Sequence, residues 1–229
     1  MARRLKPGVQ VMQKKGLYYT LDSDNRPVQF KPWLGDSFSF LYDFIMRKSV
    51  FPKKFGGDMQ KHYQTLTQEL ADYHERQVLE LGTGSGSTVH FLPNDNHYTG
   101  SDISAGLLKQ AVKRFDEACF PDPEFYVISA DDLPFDDRTF EICLCILSLN
   151  FFPDAVKVFR EVDRVLVQSG VFLCSVPVPE KNELESTING TLYSESELEK
   201  ICRDHGFNFL PISCENGALL YFRAVKTAA

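Results

Sequence analysis

From about residue 76 onward, short apolar runs alternate with amphipathic segments. Gln77–Leu81, His97–Ser101, Phe125–Ile128, Phe140–Leu147 and Val171–Val176 read as strands, several of them rich in β-branched and aromatic residues. Between them, Ser104 to Phe115 opens on a capping residue and places Leu107, Leu108, Ala111, Val112 and Phe115 at helical spacing. Asp154 to Val167 repeats that pattern. Strands alternating with helices through short links predict a parallel sheet covered on both faces. Phe140–Leu147 is apolar at nearly every position, which puts it at the sheet's centre. The C-terminal part changes rhythm. Ser194 to His205 is a capped helix closed by Gly206, with acids early and bases late, as the helix dipole favours. Two more apolar runs, Phe207–Ile212 and Ala218–Val225, flank Asn216-Gly217, a hairpin signal. The expected fold is α/β: a doubly wound, Rossmann-like, seven-stranded, mostly parallel sheet ending in an antiparallel hairpin.

Residues 1–75 lack the alternation. Gly35-Asp36 opens a stretch dense in aromatics, with Phe38, Phe40, Tyr42 and Phe44, and an amphipathic segment from Asp58 to Tyr73 leads into the first strand. Two or three helices are expected here, with the first ~20 residues loosely ordered as termini often are. The chain thus divides into an N-terminal helical cap, 1–75, and a ligand-binding core, 76–229.

Composition narrows the class. With 229 residues, 43% hydrophobic and 24% charged, the chain is an ordinary soluble globule of one domain with an appendage. No run approaches the ~18 apolar residues of a membrane span. Met1–Lys6 runs into Pro7-Gly8 without a signal-peptide core, so a cytoplasmic location is expected. The six cysteines form no Cys-x-x-Cys pair, and four sit within apolar runs, which predicts reduced core thiols and no metal site. The net charge of −6 hides an asymmetry: residues 1–61 carry twelve Lys/Arg and five Asp/Glu, the remainder thirteen and twenty-six. An acidic body argues against a nucleic-acid partner. The basic front end, where Arg47–Phe55 interleaves charge with Phe, suits either peripheral contact with an anionic membrane or a solvated cap.

Candidate chemistry centres on Val78-Leu-Glu-Leu-Gly-Thr-Gly-Ser-Gly-Ser87, where a buried strand ends in a glycine turn. In open parallel sheets ligands bind beyond the strands' carboxyl ends, and glycines let backbone approach them without a Cβ in the way. A dinucleotide fingerprint wants Gly-x-Gly-x-x-Gly, but Ser87 holds its last position and Gly86 comes one residue early. Glu80 sits badly beside a pyrophosphate and better near a ligand's ammonium group. Asp102 ends the next strand, about 20 residues after Gly82, where a carboxylate accepts both hydroxyls of a ribose. After the third strand, the Ala130 amide and the Asp131 carboxylate could read an adenine edge, or the acidic loop could simply be closed by Pro134.

Taken together, Glu80–Gly86, Gly100–Ser104, Ala130–Phe135, Leu147–Asp154 and Phe159–Leu166 followed by Ser169-Gly170 resemble the class I S-adenosylmethionine-dependent methyltransferases. The likeness is to the small-molecule enzymes of the ubiquinone/menaquinone-biosynthesis type, over residues 76–226. It implies S-adenosyl-L-methionine as cofactor, with Gly82, Gly84 and Gly86 under its methionine and ribose parts and Glu80 near its amino group. It also implies Asp102 on the ribose, Ile103 on the adenine face, Ala130 and Asp131 at the adenine edge, and Leu147 and Ser148 near the methionine. Tyr42, in Leu41-Tyr-Asp-Phe44, resembles a Tyr-Asp that covers the donor site. Ser129 departs from the family pattern, standing where an acid is frequent, and Asn150-Phe151 replaces a common His pair.

The expected reaction is in-line methyl transfer to a small, apolar or aromatic acceptor, which asks mainly for alignment. No residue declares itself as a base, and His62, His74, His90, His97 and His205 read as structural or solvent-facing. Phe38, Phe40, Phe44, Phe151 and Phe152, with the long segment Pro177–Tyr193, would line the acceptor pocket. The alternatives are a donor-binding partner protein without catalysis and an NAD(P)-dependent oxidoreductase.

Overall fold

The computed structural model describes residues 5–30 and 42–227, with Tyr42 and Asp43 described by backbone alone. Its strands are β1 (Val11–Lys14), β2 (Leu17–Thr20), β3 (Gln77–Leu81), β4 (His97–Asp102), β5 (Glu124–Val127), β6 (Phe140–Ile146), β7 (Leu166–Pro177), β8 (Phe207–Asn216) and β9 (Leu219–Lys226). The helices are α1 (Tyr42–Ile45), which runs on as a π-helical segment Met46–Phe55, then α2 (Met59–Leu70), α3 (Ala105–Glu117), α4 (Ala155–Val165) and α5 (Glu195–Asp204).

One nine-stranded sheet has the order β1-β2-β5-β4-β3-β6-β7-β9-β8. The pairs from β2 through β7 are parallel, while β1–β2, β7–β9 and β8–β9 are antiparallel. All seven expected strands are present, and the N-terminal hairpin β1–β2 adds two at the β5 edge. That corrects, for Val11 to Thr20, the expectation of loose order over the first ~20 residues. The hairpin turn is Lys15-Gly16, both at positive φ (54° and 78°). That is the geometry a two-residue link between twisted strands requires, here without the usual Asn or Asp. Leu17 is fully buried and the Tyr18 ring packs against Tyr126 of β5 at 5.0 Å, tilted by 31°.

Strand alternation splits the core in two. On β6, Ile142, Leu144 and Ile146 face the cluster that holds Leu66 and Leu70 of α2 and Leu108, Ala111 and Phe115 of α3. Cys143 and Cys145 face the opposite cluster, with Val158, Phe159, Val162 and Val165 of α4 and Leu198 and Cys202 of α5. A strand buried on both sides must be apolar throughout, which is why β6 is. Ser104, Asp154 and Ser194 cap α3, α4 and α5 through their side chains, and Ser194 completes a capping box with Glu197.

The basic front end is fastened to the acidic body. Lys6 lies 3.3 Å from Glu161 and 3.5 Å from Asp132. Lys54 donates to the Thr187 carbonyl at 2.7 Å. Phe51 and Phe55, which interleave with the basic residues, are buried in the core, so these two rings offer no apolar face to a membrane. Among the described residues no helix is long and apolar enough to cross a membrane.

Candidate functional site

Chain order along the sheet reverses between β3 and β6: the path moves outward from β3 through β4 to β5, then returns to β6 on the other side. The carboxyl ends of β3 and β6 therefore part around a crevice, the place where open α/β sheets bind ligands. A cavity of about 330 Å³ lies there, lined by the ends of β3, β4, β5 and β6. That volume lies at the lower end of the range of small-molecule sites.

The glycine turn forms its floor, and its three glycines serve different ends. A Cβ on Gly82 would stand 2.5 Å from Ser148 Cβ, so this glycine lets β3 and β6 meet. One on Gly86 would stand 2.8 Å from Ala111 Cα, so this one seats α3. One on Gly84, at φ +56°, would meet nothing nearer than the Gly82 carbonyl at 4.0 Å. Gly82 and Gly84 line the cavity; Gly86 does not.

Asp102 lines the cavity and also braces the turn. Its Oδ2 accepts from the Gly84 amide at 2.9 Å and its Oδ1 from the Ser104 amide at 2.8 Å. A carboxylate is an acceptor-only group, suited in type to a ligand hydroxyl. Ile103 is 44% exposed at the cavity wall and Phe151 50%, two large apolar surfaces held open. Ala130, Leu147 and Ser148 complete the predicted residues found there. Leu147 adopts φ +56°, an unfavourable backbone conformation for a branched side chain, at the point where β6 ends. Ser148 donates to the Leu81 carbonyl at 2.9 Å, locking β6 to β3.

Three predicted residues lie off this cavity. Asp131 accepts a hydrogen bond from Ser129 Oγ beside Ala130, outside the lining. Glu80 is buried beneath the turn, where the Thr88 hydroxyl lies 2.6 Å from both its oxygens and the Tyr98 hydroxyl donates to it. Burial pushes the Glu80 carboxyl up to about 7, against the pull of those hydrogen bonds. Gly86, as above, serves packing. Phe38 and Phe40 lie outside the described residues, as does the Tyr42 side chain. Phe44 is exposed, while Phe151 and Phe152 line the cavity. No residue of Pro177–Tyr193 lines it; that segment is strapped down by Asn150, whose side chain donates to the Asn189 carbonyl at 2.7 Å.

Sequence reasoning missed several contributors. Phe30, Ile128 and Pro153 also line the cavity. Glu161 and Arg164 of α4 hold the loop that follows Ala130. Glu161 accepts from the Leu133 amide at 2.7 Å, and Arg164 donates to the Phe135 carbonyl at 2.6 Å and the Leu133 carbonyl at 3.1 Å. Burial would raise the Glu161 carboxyl, but Arg164, the Leu133 amide and Lys6 together hold it below the usual carboxylate range. The i, i+3 spacing of these opposite charges was the visible signal. Among the described residues, no group of His, Cys, Asp and Glu is arranged to hold a metal ion.

Residues 79–174, which span the glycine turn, Asp102, Ala130 and β6, match the family described as "Methyltransferase domain". An uncharacterized methyltransferase, YcgJ of Bacillus subtilis, is 35% identical over 100 residues, 43% of this chain and 40% of that protein. The ubiquinone/menaquinone biosynthesis C-methyltransferase UbiE of Rickettsia massiliae is 34% identical over 105 residues, 42% of each. The aligned stretches thus span about two fifths of these curated relatives. In solved structures, YcgJ superposes with a TM-score of 0.62 at 20% identity, over 73% of this chain and 100% of that one. The [4+2]-cyclase SpnF superposes with a TM-score of 0.63 at 17% identity, over 74% of this chain and 81% of that one. Residues 79–174 are thus similar to a methyltransferase domain, and the fold around them is the one these solved structures share.

Proposed function

We propose that this protein is an S-adenosylmethionine-dependent methyltransferase acting on a small, apolar or aromatic acceptor. The observation that carries the reading is the cleft at the β3/β6 reversal, where Gly82 and Gly84, Asp102, Ile103 and Ala130 converge inside the matched segment. The residues fit the donor. Space beside Gly84 admits a ligand at backbone distance, Asp102 can take a ribose diol, and Ile103 and Ala130 present an apolar slot for an adenine with an amide nearby. When bound, the donor supplies a methyl group on a sulfonium, an excellent leaving group.

What remains for the chain is alignment and exclusion of water. Phe151, Phe152 and Pro153 give the outer cavity an apolar wall, which favours an apolar or aromatic acceptor. The methionine part would lie past Gly82 and Gly84 toward Leu147. The test is calorimetry with S-adenosylhomocysteine, followed by transfer of a labelled methyl group to extracted metabolites and lipids. Binding in the micromolar range with no response to NAD(P) is expected. Absence of heat from the nucleoside would overturn the reading.

A second reading is a donor-binding protein that does not methylate. It is favoured because, among the described lining residues, the titratable side chain is Asp102, which the first reading gives to the ribose, and SpnF, with a similar fold, is named a cyclase. Labelled methyl transfer to any extract component decides against it.

A further inference from the structure

Beneath the glycine turn lies a second, smaller cavity of about 60 Å³, sharing Gly82, Gly84 and Leu147 with the main one. It has room for about two water-sized groups at ~30 Å³ each, or one carboxylate. His62 of α2 is one of its walls, with Ser85 and Ser87, and Glu80, the carboxyl expected near the ligand's amino group, is another. The His62 ring is 2% exposed, and burial lowers its pKa to about 3, so it is neutral at physiological pH.

A neutral imidazole has one donor and one acceptor nitrogen, and here the neighbours decide which is which. Asn216 Oδ1 accepts from the Asp58 amide at 2.7 Å, which fixes the amide's orientation. Its Nδ2 therefore donates, to the Asp58 carbonyl at 3.0 Å and to the Tyr221 hydroxyl at 2.9 Å. The Tyr221 oxygen accepts from Asn216, and among the described residues His62 Nδ1, 2.8 Å away, is the acceptor within reach of the Tyr221 proton. That arrangement assigns Nδ1 as the acceptor and the ring proton to Nε2.

We propose that His62 is a positioning residue that presents Nε2–H to the carboxylate at the amino-acid end of the bound nucleoside. The relay Asn216–Tyr221–His62 holds it in the donating tautomer. The inference rests on the proposed function and adds a residue from outside the matched segment. It also gives the C-terminal hairpin a part in the site: the turn at Asn216-Gly217 carries the first member of the relay.

Two ligands and two substitutions test it. S-adenosylhomocysteine carries the amino-acid end; 5′-methylthioadenosine shares the adenosine and sulfur but lacks it. His62→Asn can keep a polar partner for Tyr221 while withdrawing the group at the Nε2 position. His62→Gln places an amide N–H near that position. By calorimetry, His62→Asn should lose about tenfold in affinity for S-adenosylhomocysteine with methylthioadenosine unchanged, and His62→Gln should recover most of the loss. Tyr221→Phe, which frees the tautomer, should lose part of the same preference. Undiminished preference for S-adenosylhomocysteine in His62→Asn overturns the proposal, while methylthioadenosine binding shows that the adenosine site stands. Failure of the wild-type protein to bind either compound removes the functional reading and the inference with it.

Discussion

At Gly84 the backbone takes a positive φ with open space where a side chain would go, whereas at Gly86 the same kind of backbone is pressed against α3. The two therefore separate binding from folding. Gly84→Ala should cost about 1 kcal/mol of stability for the left-handed backbone, yet lower nucleoside affinity at least tenfold by filling the approach to the cleft. Gly86→Ala should cost more stability, about 2 kcal/mol, because Ala111 must give way, and change affinity less. Paired thermal melts and calorimetry check this; equal affinity losses would mean that the cleft is misplaced. Asp102→Ala removes the acceptor for two backbone amides and for the proposed ribose, and binding should weaken by about 1–3 kcal/mol. Asp102, Ile103 and Ala130 could be placed at the cavity from the sequence because each lies at or just past a strand end, and strand ends were visible as apolar runs. His62 could not, since its meaning depends on Tyr221, 159 positions away. Nor could the left-handed Leu147, a conformation that no residue type at that position announces.

Whole elements were legible where period and cap agreed. The helices α3, α4 and α5 each begin at a Ser or Asp whose side chain takes an early amide, and their apolar positions fall on one face. The Asn216-Gly217 turn was also legible, although Asn216 is there a buried clip to Asp58 and Tyr221. The hairpin β1–β2 was not, because Lys15-Gly16 is a weak turn signal and four-residue strands carry little periodicity. Its burial shows that it belongs to the folded unit. Leu17→Ala should therefore destabilise the protein by about 2–5 kcal/mol, the cost of truncating a core leucine. Urea titration followed by tryptophan-independent far-ultraviolet dichroism measures it. A loss below ~0.5 kcal/mol would mean that the hairpin is a detachable edge.

Two buried titratable groups act on the stability of the whole molecule in opposite directions. His62 has its folded pKa lowered to about 3 from 6.5, so the unfolded chain binds more protons between those values. Its contribution is full above pH 6.5 and is lost as pH falls toward 3. Glu80 has its folded pKa raised to about 7 from 4.5, so the native protein holds the extra proton. Its contribution is full below pH 4.5 and is lost as pH rises through 7. Between pH 4.5 and 6.5 the two slopes, each at most about 1.4 kcal/mol per pH unit, oppose each other. Substitution separates them. In His62→Gln the Glu80 slope stands alone, and relative to wild type the variant should gain stability as pH falls from 6.5 toward 3. Relative to wild type, Glu80→Gln should gain as pH rises from 4.5 to 7, because it no longer pays for an ionised carboxyl in a closed site. Urea midpoints at half-unit pH intervals, compared as differences from wild type, cancel the many surface carboxylates common to all three proteins. Differences flat with pH would mean that water reaches both side chains. The tautomer held by Tyr221 would then lose the dry setting in which a single imidazole N–H can distinguish two nucleosides.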